Sequence, residues 1–308
     1  MTEPFSDRLI DAVAKHGPLC VGLDPHPDLL PKLFGAPGPD AFAMFFEGVI
    51  EACAGKVAAV KPQIALFERW GPKGLEVLAR LCAQARAAGL LVLLDAKRGD
   101  IGSTAEGYAQ AYLGPEAWLP VDAVTVNPYM GLDTLEPWIK TAWTTGGVIV
   151  LLRTSNPGAA DVQNLPAGGA PVWARLAEKL GPIAERWKGA RGWSSLMVVV
   201  GATAPGEAMR ARVLLPSAPF LVPGYGAQGA SAADASGSAA TRRAGIADAA
   251  NPGPPRPRRA DAPRTGRWPA SSWPWGAWIA CDPATWWAPS PARPASPRPP
   301  STATSKAG

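Results

Sequence analysis

Residues 91–104 read LVLLDAKRGDIGST, an aliphatic run that ends in alternating charge. Asp95 and Lys97 stand two apart, and Asp100 follows in the next turn. Side chains two apart on a strand leave the same face, so the carboxylate and the ammonium share one side. Two acids flanking an ammonium keep it protonated and hold it where it can deliver a proton. The same carboxylate repels any anionic group placed beside it. At ~4 Å and an effective dielectric of ~20 that repulsion is about 4 kcal/mol, which matters to a reaction that removes the charge. A structural ion-pair cluster at a strand end would use the same residue types, so the spacing alone leaves both readings open.

Other polar residues interrupt apolar runs in the same manner. Lys61 lies inside AVKPQIALFE, where an unpaired ammonium is costly to bury and a partner such as Asp95 is required. Asp24 closes the run in VGLDPHPD, as a site residue or as a turn residue before Pro25. His26, in the same turn, reads as structural or solvent-exposed. Residues 223–229, PGYGAQG, follow an aliphatic triplet. Glycines such as Gly226 let backbone N–H groups approach an anion, and Gln228 adds an amide donor; an ordinary turn has the same composition. Ser155, in RTSNPG, is a further polar candidate.

The elements that must position these residues follow from periodicity. Short aliphatic runs recur at residues 19–24, 58–66, 90–95, 123–127, 148–153, 197–201 and 220–222. Their near-continuous apolarity suits parallel strands buried on both faces. Between them, residues 74–88 place Leu75, Leu78, Leu81 and Cys82 on one helical face, residues 171–187 repeat the pattern, and residues 133–143 do so around Pro137. Seven β–α alternations predict an α/β fold, a (β/α)8 barrel rather than an open sheet. In such a barrel the candidates fall at the carboxyl ends of strands one, two, three, five and seven, where one pocket forms. No GxGxxG follows the first strand, which argues against dinucleotide binding. An eighth strand is expected about 15–25 residues after Val222, the usual βα spacing, yet nothing there resembles one.

Composition changes in the same place. The chain has 308 residues and a net charge of +5. Residues 236–308 hold nine Arg and one Lys against three Asp, so the body is slightly acidic and the basic excess belongs to the tail. That tail has 14 Pro, six Trp, two Ile and no Leu, Val, Phe or Tyr. A segment so poor in aliphatics is expected to lack a core and to be largely disordered. The division is therefore a barrel over residues 1–235 and a Pro/Arg/Trp-rich tail over 236–308. The four cysteines, Cys20, Cys53, Cys82 and Cys281, are dispersed and form no CxxC, which argues against a disulfide framework or a zinc ribbon, and two histidines argue against a multi-histidine metal centre. No apolar run reaches the ~18 residues of a membrane span and no signal-peptide pattern opens the chain, so a cytoplasmic location without membrane association is expected.

The blocks VGLDPHPD, VKPQIALFE, LLDAKRGDIGST, VTVNPYMG, RTSNPGA, VVVGATAP and LVPGYGAQG, in this order over about residues 5–233, closely resemble the orotidine 5′-phosphate decarboxylases of the longer bacterial (type 2) subfamily. The wider superfamily includes metal-dependent sugar-phosphate decarboxylases and aldolase-like synthases with a related D-x-K-x-x-D, without the DAKRGD and TSNPGA blocks. The resemblance implies a TIM barrel that decarboxylates orotidine 5′-phosphate to UMP, the last step of pyrimidine synthesis, with no cofactor and no metal. It implies Lys97 as proton donor to C6, Asp95 against the substrate carboxylate, and Lys61 completing the charge network. It also implies Asp24 on ribose hydroxyls, Ser155 on the pyrimidine, and Gln228 with the Gly226 loop on the phosphate. A homodimer with a shared site is implied, in which Asp100 and Thr104 reach the partner's pocket.

The family's eighth strand and its phosphate-binding arginine have no counterpart here. Arg242 and Arg243 lie in the right interval, with no strand before them. A reading-frame shift near Ala235 in GC-rich DNA would produce such a tail. The alternatives are a catalytically impaired, truncated barrel with a non-native tail, a related sugar-phosphate decarboxylase of the same superfamily and, with least support, a basic aromatic arm for nucleic acid.

Overall fold

A computed structural model of the chain describes residues 3–201, 205–223 and 276–280. The aliphatic runs form the strands β1 (Leu19–Leu23), β2 (Ala59–Pro62), β3 (Leu91–Arg98), β4 (Ala123–Val126) and β5 (Gly147–Arg153). A small hairpin of β6 (Pro166–Ala167) and β7 (Ala170–Pro171) precedes β8 (Leu196–Val200) and β9 (Phe220–Val222). Around them lie α1 (Phe5–His16), α2 (Pro39–Cys53), α3 (Ile64–Glu68), α4 (Gly71–Ala87), α5 (Gly102–Leu113), α6 (Glu136–Ala142), α7 (Ala160–Gln163), α8 (Val172–Arg186) and α9 (Pro205–Leu214). The three helices expected from periodicity are α4, α8 and, entered through a 3-10 turn at Leu132–Leu135, α6.

Seven strands run parallel in the order β1-β2-β3-β4-β5-β8-β9. The remaining position is taken by β10 (Gly276–Ala280), antiparallel to both β9 and β1. The expected position for an eighth strand, soon after Val222, lies outside the described residues. The strand that closes the sheet instead comes from the tail that composition leaves without elements. The reversed direction is open to it because β-pairing needs only backbone donors and acceptors, which either orientation supplies. The rest of the tail, with Arg242, Arg243 and Cys281, lies outside the described residues.

Strand alternation divides the core in two. Val60, Val92, Leu94, Val124, Val148, Val150 and Val198 point outward and pack beneath the helices with Leu78, Leu81, Trp138 and Trp173. Cys20, Ala59, Leu91, Leu93, Ala123, Ile149, Met197 and Leu221 point inward and fill the barrel. Fully burying one such leucine contributes about 1.5–3 kcal/mol.

Helix α1 closes the amino-terminal end of the barrel with Phe5, Leu9 and Val13. Phe5 packs against Gly147, where a β-carbon would overlap its ring. Arg8 pairs with buried Asp122 at 2.5 Å and donates to the Thr145 carbonyl at 2.7 Å. Asp7 accepts the backbone N–H groups of Ala190 and Arg191, each at 2.8 Å. With that end sealed, the opposite mouth is where inward positions can turn polar. Cys20, Cys53 and Cys82 are free and buried, and burial pushes the Cys20 thiol up to about 12.

Candidate active site at the carboxyl mouth

The inward parity of β2, β3 and β4 becomes polar toward the carboxyl ends of the strands. On β3 the series Leu91, Leu93 is followed by Asp95 and Lys97; on β2, Ala59 is followed by Lys61 and Gln63; on β4, Ala123 is followed by Thr125. These side chains converge on the Asp95 carboxylate. Its Oδ1 accepts from Lys97 Nζ at 2.5 Å and from Thr125 Oγ1 at 2.9 Å. Its Oδ2 accepts from Lys61 Nζ at 3.3 Å and from Gln63 Nε2 at 3.0 Å. The Lys61 and Asp95 side chains are each 12% exposed whereas Lys97 is 46% exposed, so Lys97 carries its charge toward the mouth.

Burial works to raise the Asp95 pKa, but the two ammoniums and the hydrogen bonds from Lys97 and Thr125 outweigh it and hold the carboxyl below its ordinary value. Lys61 is shifted upward: burial opposes its charge, and Asp95 and Asp24 more than restore it. Asp24, at the end of β1, is raised by burial, partly offset by Lys61. Its Oδ1 is buried without a hydrogen-bond partner. The result is an alternating set, Asp24, Lys61, Asp95 and Lys97, drawn from three strands.

The backbone at this point is strained. Lys97 is the one non-glycine residue with positive φ among the described residues, at 47°. That conformation costs roughly 1–2 kcal/mol and persists only where surrounding contacts impose it. It falls in the irregular last part of β3, where the Lys97 ammonium reaches back to Asp95.

The other expected residues sit around this centre. Ser155 follows β5, its backbone close against Gly201 at the end of β8; a β-carbon at Gly201 would stand 2.9 Å from Ser155 Cα. The loop carrying Ser155 is tied down by several bonds. Arg153 pairs with Glu207 of α9, Asn164 donates to the same carboxylate at 3.2 Å, and Gln163 accepts the Thr154 N–H at 2.9 Å. Asp100 and Thr104 do not join the Asp95 cluster. Asp100 caps its own turn by accepting the Ile101 N–H at 2.9 Å, and Thr104 is exposed in the first turn of α5. His26 is half-buried in the turn after β1. Gly226 and Gln228 lie outside the described residues. Sequence reasoning missed Gln63 and Thr125, although both continue an inward parity, two residues beyond Lys61 and Ala123.

Residues 17–253 match the family described as orotidine 5′-phosphate decarboxylase / HUMPS. The chain belongs to this family. A Salinispora arenicola orotidine 5′-phosphate decarboxylase is 48% identical over 233 residues, 75% of this chain and 82% of the relative. The Streptomyces coelicolor decarboxylase is 44% identical over 234 residues, with the same coverage. Among solved structures, a Streptomyces avermitilis protein assigned as an orotidine 5′-phosphate decarboxylase aligns with a TM-score of 0.70 at 41% identity, covering 77% of this chain and 82% of that one. The Leishmania donovani UMP synthase aligns over 76% of this chain and 47% of its own, with a TM-score of 0.64 at 36% identity. No helix among the described residues is long and apolar enough to cross a membrane.

Proposed function

We infer that this chain is an orotidine 5′-phosphate carboxy-lyase, releasing CO2 and forming UMP at the end of de novo pyrimidine synthesis. The observation that carries the reading is the Asp95 carboxylate, ionised and held by four donors at the barrel mouth, in a chain of this family.

Asp95 cannot move away from a substrate carboxylate placed beside it, because Lys61, Gln63, Lys97 and Thr125 fix both its oxygens. The substrate anion is therefore destabilised where it binds, and losing CO2 relieves the repulsion. The C6–carboxylate bond breaks, its electron pair stays on C6, and CO2 departs. The Lys97 ammonium gives C6 a proton and is reprotonated from solvent through the open mouth. Lys61 holds the negative charge of Asp95 in place. Asp24 accepts ribose hydroxyls at its unpartnered Oδ1, Ser155 contacts the pyrimidine, and Gly226 and Gln228 hold the phosphate. The chemistry takes no cofactor and no metal.

The working unit is a homodimer in the cytoplasm. Asp100 and Thr104 are not among the hydrogen-bond partners of their own Asp95, and the apolar Ile101, Tyr129 and Met130 are 59%, 82% and 47% exposed on the adjoining β3 and β4 loops. A second copy seated there would cover them and receive Asp100 and Thr104. Mixing inactive Lys97→Ala and Asp100→Ala chains tests this, since a hybrid dimer regains one complete site. Recovered turnover supports sharing, and none refutes it.

The test of the function is a decarboxylation assay on the purified 308-residue chain, following the absorbance of orotidine 5′-phosphate and the appearance of UMP. Stoichiometric conversion is expected. A folded chain that binds UMP and turns nothing over would overturn the reading.

A further inference from the structure

We propose that Thr125 is a positioning residue of the decarboxylation site, whose hydroxyl sets the Asp95 carboxylate and the Lys97 turn as a single unit. The proposal rests on the roles given above to Asp95 and Lys97.

Leu94 pairs with Val124 and Arg98 pairs with Val126, so Asp95, Ala96 and Lys97 all stand opposite the one residue Thr125. Two extra residues on one strand leave backbone N–H groups without a carbonyl across the ladder. The Thr125 hydroxyl takes their place. Its Oγ1 accepts the N–H of Ala96 and the N–H of Lys97, both at 2.9 Å. A hydroxyl has two acceptor lone pairs and one proton. With both lone pairs occupied, the proton points at the third neighbour, Asp95 Oδ1, at 2.9 Å. Thr125 is 1% exposed, so water does not compete for these bonds.

One side chain thus binds both halves of the chemistry. It donates to the carboxylate that stresses the substrate, and it accepts from the residue whose positive φ aims the proton donor. The flanking strand residues, Val124 and Val126, show what this strand carries where no such demand exists. Valine at 125 would have threonine's shape but would orphan two backbone donors and one carboxylate bond.

Thr125→Val and Thr125→Ser, assayed beside the parent chain and Lys97→Ala, test the idea. The valine variant is expected to lose about 10- to 100-fold in kcat, the factor of a hydrogen bond to a charged group. KM should change less than ~3-fold, because no substrate contact is removed. The acid limb of kcat/KM should move to higher pH, since the ionised carboxylate has lost a donor. The charges facing Asp95 remain Lys61 from β2, Lys97 from β3 and Asp24 from β1, with His26 beyond Asp24. Serine keeps the hydroxyl and should recover most of kcat and the parent pH profile. If the valine chain does not fold, Thr125→Ala is read by the same two measurements. Unchanged kcat with an unmoved acid limb overturns the proposal, as do equal losses in the serine and valine variants. Full turnover by Lys97→Ala would instead overturn the function on which the proposal rests.

Discussion

Replacing Asp95 by asparagine keeps the side chain's size and removes its charge. Two consequences follow from the geometry. The substrate carboxylate no longer meets a fixed anion, and the ammoniums at 2.5 and 3.3 Å from Asp95 become attractive to that substrate group. At ~4 Å and an effective dielectric of ~20, the lost repulsion is about 4 kcal/mol. Every 1.36 kcal/mol is tenfold, so kcat should fall by roughly 10³. Removing ground-state stress should not weaken binding, so KM should stay level or drop. Initial rates from orotidine 5′-phosphate absorbance, with UMP titration as a binding check, measure both constants. A raised KM with kcat within tenfold of the parent would refute the reasoning and make Asp95 a binding residue.

Lys97→Ala removes the proton donor and should lower kcat by about 10⁴-fold, the upper range for a positioned acid, while UMP still binds; near-normal turnover would sink the mechanism. Glu207→Ala frees Arg153 and Asn164 together and should loosen the Ser155 loop, raising KM and costing about 1–3 kcal/mol of stability; identical kinetics would show that the loop holds without the pair. Gly147→Ala forces a methyl into the Phe5 ring at the closed end of the barrel. It should cost about 1–3 kcal/mol, or roughly 2–4 °C in Tm for each kcal/mol. Its kcat and KM should match the parent, and a changed KM would mean that the two ends of the barrel are coupled.

Much of the site was legible along the chain because strand stereochemistry is local. Alternation with period two places Asp95 and Lys97 on one side whatever surrounds them, and it places Lys61 with Ala59 on the inner face. Seven aliphatic runs separated by helical spacing sufficed for the barrel, and the barrel for the end at which polar residues gather. The ordered blocks around DAKRGDIGST carried the family. Partners across the ladder were not legible. Thr125 meets Asp95 because Leu93 and Leu94 pair with Ala123 and Val124, and the slip of two residues that follows brings the Ala96 and Lys97 N–H groups to the same hydroxyl; Gln63 reaches Asp95 through the parallel register of β2 with β3. Register is settled by the packing of whole strands, which no window of sequence contains. The left-handed Lys97 is decided by the same slip.

Residues 276–280 show the limit from the other side. Their composition does not mark a central strand, yet they occupy the eighth position of the sheet in the reverse direction. Open edges on β1 and β9 present unpaired donors and acceptors, and any extended backbone can satisfy them. The chemistry available at each strand end could be read along the chain, because residue type and alternation are local properties. Tertiary structure alone decided which groups meet at Asp95 and what closes the barrel, because hydrogen bonding between distant segments depends on register and geometry.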